Sequence, residues 1–584
     1  MGTNKGAFLT HSNHLAWFDH RMRKRFSTTA FQMQKASASR QAIARGDPLN
    51  HEIAMLIHHP TQRSLIIALM LITLAGCSTT VRAPFEMPEA EWTQPAATDG
   101  LLAQIAADVT ARAETLGDQT DHSDAGISGF KLLDRGEDAL RWRLSLIDSA
   151  TQSIDTQYYL YHGDNTGLLF TSRLLEAADR GVKVRIIIDD MGTLAISPSQ
   201  AKLRDSMGAL MIAHPNISLR LFNSSGNRNL LGRGWSFATQ FEQLNHRMHN
   251  KSLTVDNHAT IVGGRNIGDE YIGLNPHFNF RDIDVLGFGP VARQTSSVFD
   301  VFWNSGWVIT ADSSTQTKAE GVYETQRLAL KQELKQSETL AQFSLVARRW
   351  ETEFNALTPL LHLGPSEVVT DRPDSDGISN EVFDWVMENL PEVQQDLLVT
   401  NAYLIPGPEG VAMLDDLVTA GAEVTIHTNS LASQDVAAVN SHYKGWRKPI
   451  LASGASLFEA RHDAAIKQSM VDTKPVSARY MGLHSKSLVM DRRFAVIGSA
   501  NLDPRSAFLN SEMIAIIDSE SLAEELAQAI LLDTSPANSW EVGLNDKNQI
   551  IWRNDVGTVS RQPARSGWQR FQDLFFMLFP KRLY

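Results

Sequence analysis

A chain of 584 residues has room for two or three domains, and 43% hydrophobic with 21% charged residues describes a globular protein with real cores. A net charge of −12 argues against nucleic acid as the main partner, because gripping a phosphate backbone needs a basic surface. The one cysteine, Cys77, excludes an intrachain disulfide.

Residues 1–54 show no consistent period and carry a small basic cluster, Arg21, Arg23, Lys24 and Arg25. Met55 follows, then Arg63, the apolar run Leu65–Leu74, and Ala75-Gly76-Cys77-Ser78. A basic flank, a short apolar run and small residues before a cysteine are the pattern of a bacterial lipoprotein signal. The run falls short of the roughly 20 residues that a membrane-spanning helix needs. We therefore expect a signal over 55–77, lipid on Cys77, and 1–54 as an over-long start or a disordered extension. Anchoring would face the periplasm, and Ser78 points to the outer membrane rather than the inner. The alternative is a buried cysteine in a short apolar segment. Residues 78–125 are polar, with Pro84, Pro88 and Pro95, and predict a tether carrying a helix near 100–115.

From residue 126 the chain alternates strands and helices. Helix 137–149, strand 153–161, helix 167–180 ending at Gly181 and strand 182–189 come first. Helix 379–390, strand 396–404, helix 410–420 ending at Gly421 and strand 423–428 repeat the order. The pattern predicts an α/β fold of two similar domains, 126–345 and 346–560, each a sheet flanked by helices. Ala319–Ala356 predicts one or two linking surface helices. Two loops mix cations with aromatics: 223–247 with Arg228, Arg233 and Trp235, and 440–448 with His442, Tyr443, Lys444, Trp446 and Arg447. They suit a lipid headgroup or an ordinary surface equally. Over 561–584, Trp568, Phe571, Phe575, Leu578 and Phe579 follow helical spacing beside Lys581 and Arg582. This predicts an amphipathic helix, lying either on a membrane or with its apolar face docked on the domain.

The chemistry sits in a motif that occurs twice. His249-Asn-Lys251-Ser-Leu-Thr-Val-Asp256 leads to Gly263-Gly264-Arg265-Asn266. His484-Ser-Lys486-Ser-Leu-Val-Met-Asp491 leads to Gly498-Ser499-Ala500-Asn501. Residues i and i+2 share a strand face, so each His points with its Lys. An ammonium beside an imidazole suits a phosphate diester: Lys neutralises the anion while His attacks phosphorus or protonates the leaving oxygen. The small residues let the backbone approach a ligand, and Asn266 and Asn501 can donate to phosphoryl oxygens. Asp256 and Asp491 complete the motif and read as turn formers or charge partners. Each His needs an acceptor for its other ring nitrogen. Asp284 and Glu512, each just before an apolar strand, match as those acids, with Asp282 and Asn510 as their polar neighbours. No further cluster has metal-ligand spacing, so neither a metal nor a cofactor is expected.

These residues resemble the phospholipase D superfamily, whose signature is this His-x-Lys-x4-Asp followed by Gly-(Gly/Ser)-x-Asn. Arg247-Met-His-Asn-Lys-Ser, Val262-Gly-Gly-Arg-Asn-Ile-Gly-Asp269, Asn501-Leu-Asp-Pro-Arg-Ser506 and Leu509-Asn-Ser-Glu512 look like the cardiolipin synthases of the C-type group, and the likeness runs from about Gly129 to Glu512. The resemblance implies two phospholipase D-like domains related by a pseudo-twofold, one shared active site, and a metal-free phosphohistidine mechanism. It also implies phosphatidyl transfer between phospholipids, with phosphatidylglycerol as acceptor and donor and phosphatidylethanolamine as a candidate donor. We assign His249 as nucleophile and His484 as acid/base, the reverse remaining open because the local sequences are nearly equivalent. The rival readings are a hydrolytic phospholipase D or nuclease-type phosphodiesterase and an inactive membrane scaffold.

Overall fold

The computed structural model describes residues 82–115, 126–193, 198–224, 241–311 and 322–577. Residues 1–54, the signal 55–77 with Cys77, Arg228, Arg233 and Trp235, and Leu578, Phe579, Lys581 and Arg582 lie outside the described residues.

The first half contributes β1 (Ile127–Leu133), β2 (Ser153–Tyr158), β3 (Lys183–Asp189), β4 (Ile217–Phe222), β5 (Ser252–Val255), β6 (Ala259–Gly263), β7 (Asp284–Phe288) and β8 (Val308–Thr310). They pair in the order β8-β4-β3-β2-β5-β6-β7-β1. The second half contributes β9 (His362–Thr370), β10 (Asp396–Asn401), β11 (Glu423–Asn429), β12 (Ser456–Ala460), β13 (Lys486–Met490), β14 (Phe494–Gly498), β15 (Met513–Asp518) and β16 (Ser539–Leu544). Their order is β9-β15-β14-β13-β10-β11-β12-β16, the mirror of the first. In both halves a parallel trio, β2-β3-β4 or β10-β11-β12, carries strands buried on both faces, which is why Val-Arg-Ile-Ile-Ile runs without alternation. The halves meet where β1 pairs antiparallel with β9, from Ile127 opposite Pro365 to Phe130 opposite His362. An antiparallel pair at the seam is what a pseudo-twofold axis there produces.

Helices cover the sheet: α1 (Leu101–Thr115), α2 (Gly136–Ser149), α3 (Asn165–Asp179), α4 (Pro290–Trp303), α5 (Glu381–Asn389), α6 (Gly407–Ala420), α7 (Glu520–Thr534) and α8 (Gly567–Phe576). Asp164 caps α3 by accepting the Gly167 N–H at 3.0 Å. Gly181 and Gly421 stand just past α3 and α6 with φ of +96° and +104°, the left-handed backbone that a helix stop needs. α4 and α7 share one core with residues of both sheets, including Phe130, Phe299, Val489, Ile497 and Leu526. Among the described residues no helix is long and apolar enough to cross a membrane.

Two expectations change, and one of the two alternatives for the C-terminal helix is not met. Residues 82–115 are packed on the first half rather than strung out as a tether. Leu102, Ile105 and Val109 of α1 enter the core. Thr93 joins a buried ion network in which Arg185 holds Asp155 at 2.7 Å and Asp300 at 2.8 Å. The 440–448 stretch is mostly helical, not a headgroup loop: Tyr443, Arg447 and Trp552 all donate to buried Glu459. α8 forms as spaced and turns its polar face inward, so its apolar face is not docked on the domain. Asp573 accepts from Asn440 at 2.6 Å and Lys444 at 2.7 Å, and Gln569 donates to the Leu431 carbonyl. Trp568 is 65% and Leu574 64% exposed, and Phe571 and Phe575 stand out beside them.

Candidate active site

Two short parallel ladders bring the motifs together. Arg247–Met248 pairs with Asn510–Ser511, Met248 opposite Ser511. Phe278–Arg281 pairs with Tyr480–Leu483, Arg281 opposite Leu483. Each ladder ends one residue before a motif His on one strand and an acid on the other. The next pair along the first is therefore His249 with Glu512, and along the second Asp282 with His484. The backbone continues each ladder by one bond: His249 N–H to the Ser511 carbonyl at 2.9 Å, and His484 N–H to the Arg281 carbonyl at 2.8 Å.

The side chains follow. His249 Nδ1 donates to Glu512 Oε2 at 2.8 Å and faces the Ser499 carbonyl at 3.1 Å. His484 Nδ1 donates to Asp282 Oδ2 at 2.7 Å. Each imidazole is thus oriented by a carboxylate of the other half, which leaves its Nε2 as the reactive nitrogen. The pairing corrects the expected acid: Asp282, not Asp284, is the counterpart of Glu512. Strand register is the reason. Gly263 lies opposite Asp284 and Gly498 opposite Ile514, so Asp284 corresponds to Ile514 and Asp282 to Glu512. Asp284 instead neutralises buried Arg143 at 3.0 Å and Arg265 at 3.2 Å. Asn510 does neighbour Glu512, donating to its Oε1 at 3.2 Å.

Lys251 and Lys486 are buried, and each donates to the carbonyl of its own motif His. Burial lowers the Lys251 ammonium to about 7, and Lys486 is lowered for the same reason. Burial also holds His249 at about 4 and His484 at about 3. The charges of both lysines push the same way, against the opposing pull of Glu512 and Asp282. Burial raises those two carboxylates, but the facing imidazoles and lysines outweigh it, and both stay ionised. Asn266 accepts the Leu160 N–H at 3.0 Å through its carbonyl oxygen, which leaves its NH2 as the donor. Asn501 is buried beside Ala500 and Ser499, with no partner for its Oδ1.

The motif aspartates stay out of the chemistry. Asp256 accepts the N–H groups of Thr151, Gln152 and Ser153 at 2.8, 2.8 and 3.0 Å, and Asp491 those of Gln394, Gln395 and Asp396 at 3.1, 2.7 and 3.2 Å. They pin the loops that start β2 and β10. The small residue at Gly264 serves Asp282 rather than a ligand, since a Cβ there would stand 2.3 Å from its Oδ1. Ser499, at the equivalent place, uses its hydroxyl to donate to Glu512.

Sequence reasoning missed the aromatic walls. Tyr159 lies 5.2 Å from His249 and 5.6 Å from Lys251 Nζ, Tyr271 and Phe280 lie 5.2 and 4.9 Å from His484, and Tyr403 lies 5.9 Å from Lys486 Nζ. Tyr159 and Tyr403 follow the carboxyl ends of β2 and β10, where ligands of α/β sheets gather, and that signal was available. The fold also gathers His162, Asp164 and Glu270, ligand atoms within 4.8 Å of one another, which spacing did not suggest. The Asp164 oxygens there already accept the Gly167 and Asp269 N–H groups.

A buried pair of imidazoles, each backed by a carboxylate and flanked by an ammonium, can attack a phosphate diester and shuttle a proton to its leaving group. The family model described as cardiolipin synthase, phospholipase D-like domain, matches residues 144–303 and 386–531. Cardiolipin synthase C of Escherichia coli (strain K12) is 32% identical over 76% of this chain and 93% of its own length. An uncharacterized protein of Helicobacter pylori (strain ATCC 700392 / 26695) is 30% identical over 75% of this chain and 84% of its own. The major cardiolipin synthase ClsA of Bacillus subtilis (strain 168) is 25% identical over 68% and 67%. With the doubled motif on mirrored sheets, these matches establish that the chain belongs to the cardiolipin synthase family of phospholipase D-like enzymes.

Proposed function

We propose that this enzyme moves a phosphatidyl group from one phospholipid to the headgroup alcohol of another, the reaction named for its relatives. The observation that carries the reading is the crossed pairing, His249 with Glu512 and His484 with Asp282, which makes one site from two half-sites. His249 Nε2 attacks phosphorus and forms an N–P bond, and the first alcohol leaves with a proton from His484. The second alcohol gives its proton to His484 and attacks phosphorus, and the N–P bond breaks. The two acceptors facing His249 Nδ1 favour it as nucleophile, since they fix which nitrogen keeps the lone pair. Burial holds both imidazoles neutral in the free enzyme; a diester's negative charge between them raises His484 and loads it as the acid. Lys251, Lys486, Asn266 and Asn501 hold the phosphoryl oxygens.

The enzyme would work at a membrane surface, with phosphatidylglycerol as acceptor and phosphatidylglycerol or phosphatidylethanolamine as donor. Support comes from α8, whose polar residues are spent on the protein while its aromatics face out. Lipid on Cys77 would add a second hold on the periplasmic side, with outer-membrane sorting from Ser78. Two weak membrane attachments together give stable anchoring where one does not.

Purified protein incubated with phosphatidylglycerol, with and without phosphatidylethanolamine, tests the reaction. Cardiolipin with released glycerol or ethanolamine is expected. Phosphatidic acid alone would make the protein a hydrolase, and no turnover would make it a scaffold.

A further inference from the structure

An apolar cavity of about 320 Å3 lies between α5, α6 and the turn that follows the second motif. Val382, Leu404, Met413 and Phe508 are among its walls. Asn501 is a wall residue too, so the cavity opens from the same asparagine that belongs to the phosphate-holding set. Phe508, 61% exposed, stands in the same wall.

The first half supplies an internal comparison, because its equivalent helix is more deeply buried. α3 buries Leu168, Leu169, Phe170, Leu174 and Leu175, whereas α6 buries only Leu414 and Leu417. Asp269 ties down the start of α3, accepting from Thr166 N–H at 2.8 Å and Asn165 Nδ2 at 3.0 Å. Pro504 stands at the corresponding place after the second motif and offers no such tie. Two halves of one design thus differ at this point, and the second has an apolar space beside its asparagine. Apolar surface exposed to water is costly, and an apolar occupant would remove that cost. Its walls are mostly apolar, with Glu409, Asn501, Asp503 and Ser506 as polar members, and the asparagine is the one that belongs to the phosphate-holding set. The matching ligand is an apolar chain joined to a phosphate.

We propose that this cavity receives one acyl chain of the phospholipid whose phosphate sits between His249 and His484. The inference rests on the phospholipid reading above. It adds that the second half grips the lipid tail.

Two measurements test it. Wild type and Met413→Trp are compared on dioleoyl phosphatidylglycerol in mixed micelles and on bis(p-nitrophenyl) phosphate, a diester without chains. A bulky indole excludes several methylenes, so the ratio of lipid to chainless turnover is expected to fall by about tenfold or more. A smaller fall overturns the cavity assignment while phosphatidyl transfer by the wild type stands. In the second measurement, wild type is photolysed with phosphatidylglycerol bearing a diazirine near the chain terminus and then digested. Label on peptides from 382–414 or 500–508 is expected, and label confined to other peptides overturns the proposal whether or not Met413→Trp folds. A wild type that cleaves the chainless diester and no phospholipid would sink the phospholipid reading itself, and the acyl site with it.

Discussion

Asp282→Asn separates the two aspartates that lie two residues apart in the chain. The substitution keeps the side chain's shape and an oxygen acceptor for His484 Nδ1 but removes the charge. The lost attraction acts on the imidazolium that forms as His484 takes up a proton. With charge centres about 4 Å apart and an effective dielectric near 20, that attraction is about 4 kcal/mol. If it is felt fully in the transition state, kcat falls roughly 10³-fold. Asp284→Asn should do the opposite. It leaves Arg143 and Arg265 buried without their carboxylate, at a cost of about 3–5 kcal/mol of stability, while turnover per folded molecule stays within roughly tenfold of wild type. The assay is kcat on phosphatidylglycerol in mixed micelles, normalised to folded protein, beside a denaturant melt. A folded Asp282→Asn enzyme with near-normal kcat, or a stable but inactive Asp284→Asn, would refute the crossed-pair reasoning.

His249→Ala and His484→Ala should each remove nearly all activity, because the two act as a unit. Mass spectrometry of trapped protein should find a phospho-adduct on His249 in the His484→Ala variant, and an adduct on His484 instead would reverse the assignment. For the free enzyme, kcat/KM should fall below about pH 4, where His249 gains a proton and loses its lone pair, and above about pH 7, where Lys251 loses its charge. Lys251→Arg, if active, should move the alkaline limb upward; a flat profile between pH 5 and 9 would count against the lysine's role. Turnover should survive EDTA, since both Nδ1 atoms are occupied and two buried ammonium groups repel a dication; loss restored by zinc would overturn this. Cys77→Ser together with Trp568→Ser and Phe571→Ser should release the protein from membranes in a flotation assay, and an unacylated peptide spanning Gly76 and Cys77 in the native protein would end the lipoprotein proposal.

The doubled motif was legible because covalent order alone puts His beside Lys and Asn a fixed distance on. The mirrored sheets were legible because strand, helix, glycine stop and strand recur in both halves. The acid was misplaced because local pattern aligned Asp284 with Glu512 as the last acid before an apolar strand. Only the register between β6 and β7 reveals the two-residue offset. The crossing of the pairs was out of reach altogether, since it depends on ladders between segments more than 200 residues apart. The false tether has a similar cause. A polar, proline-bearing stretch looks solvated until Arg185, Asp155 and Asp300, far off in sequence, are seen to collect Thr93.

Symmetry explains how the centre is built, and its failures explain how two equivalent histidines come to do different work. Glu512 receives His249, Ser499, Ser506 and Asn510, while Asp282 receives His484 and its neighbour's N–H at Ile283. A carboxylate whose charge is already spread over four donors changes less when its imidazole is phosphorylated than one that answers chiefly to a single imidazole. The second arrangement suits a histidine that must lose a proton in one half-reaction and regain it in the next. The open space beside α6 breaks the symmetry in the same region, since Asn501 borders both Ser499 and the cavity. Ser499 in turn donates to Glu512, the carboxylate that orients His249. A Met413→Trp variant that loses its preference for long chains should therefore also accumulate less of the His249 adduct from long-chain lipid, while the adduct formed from a chainless diester is spared.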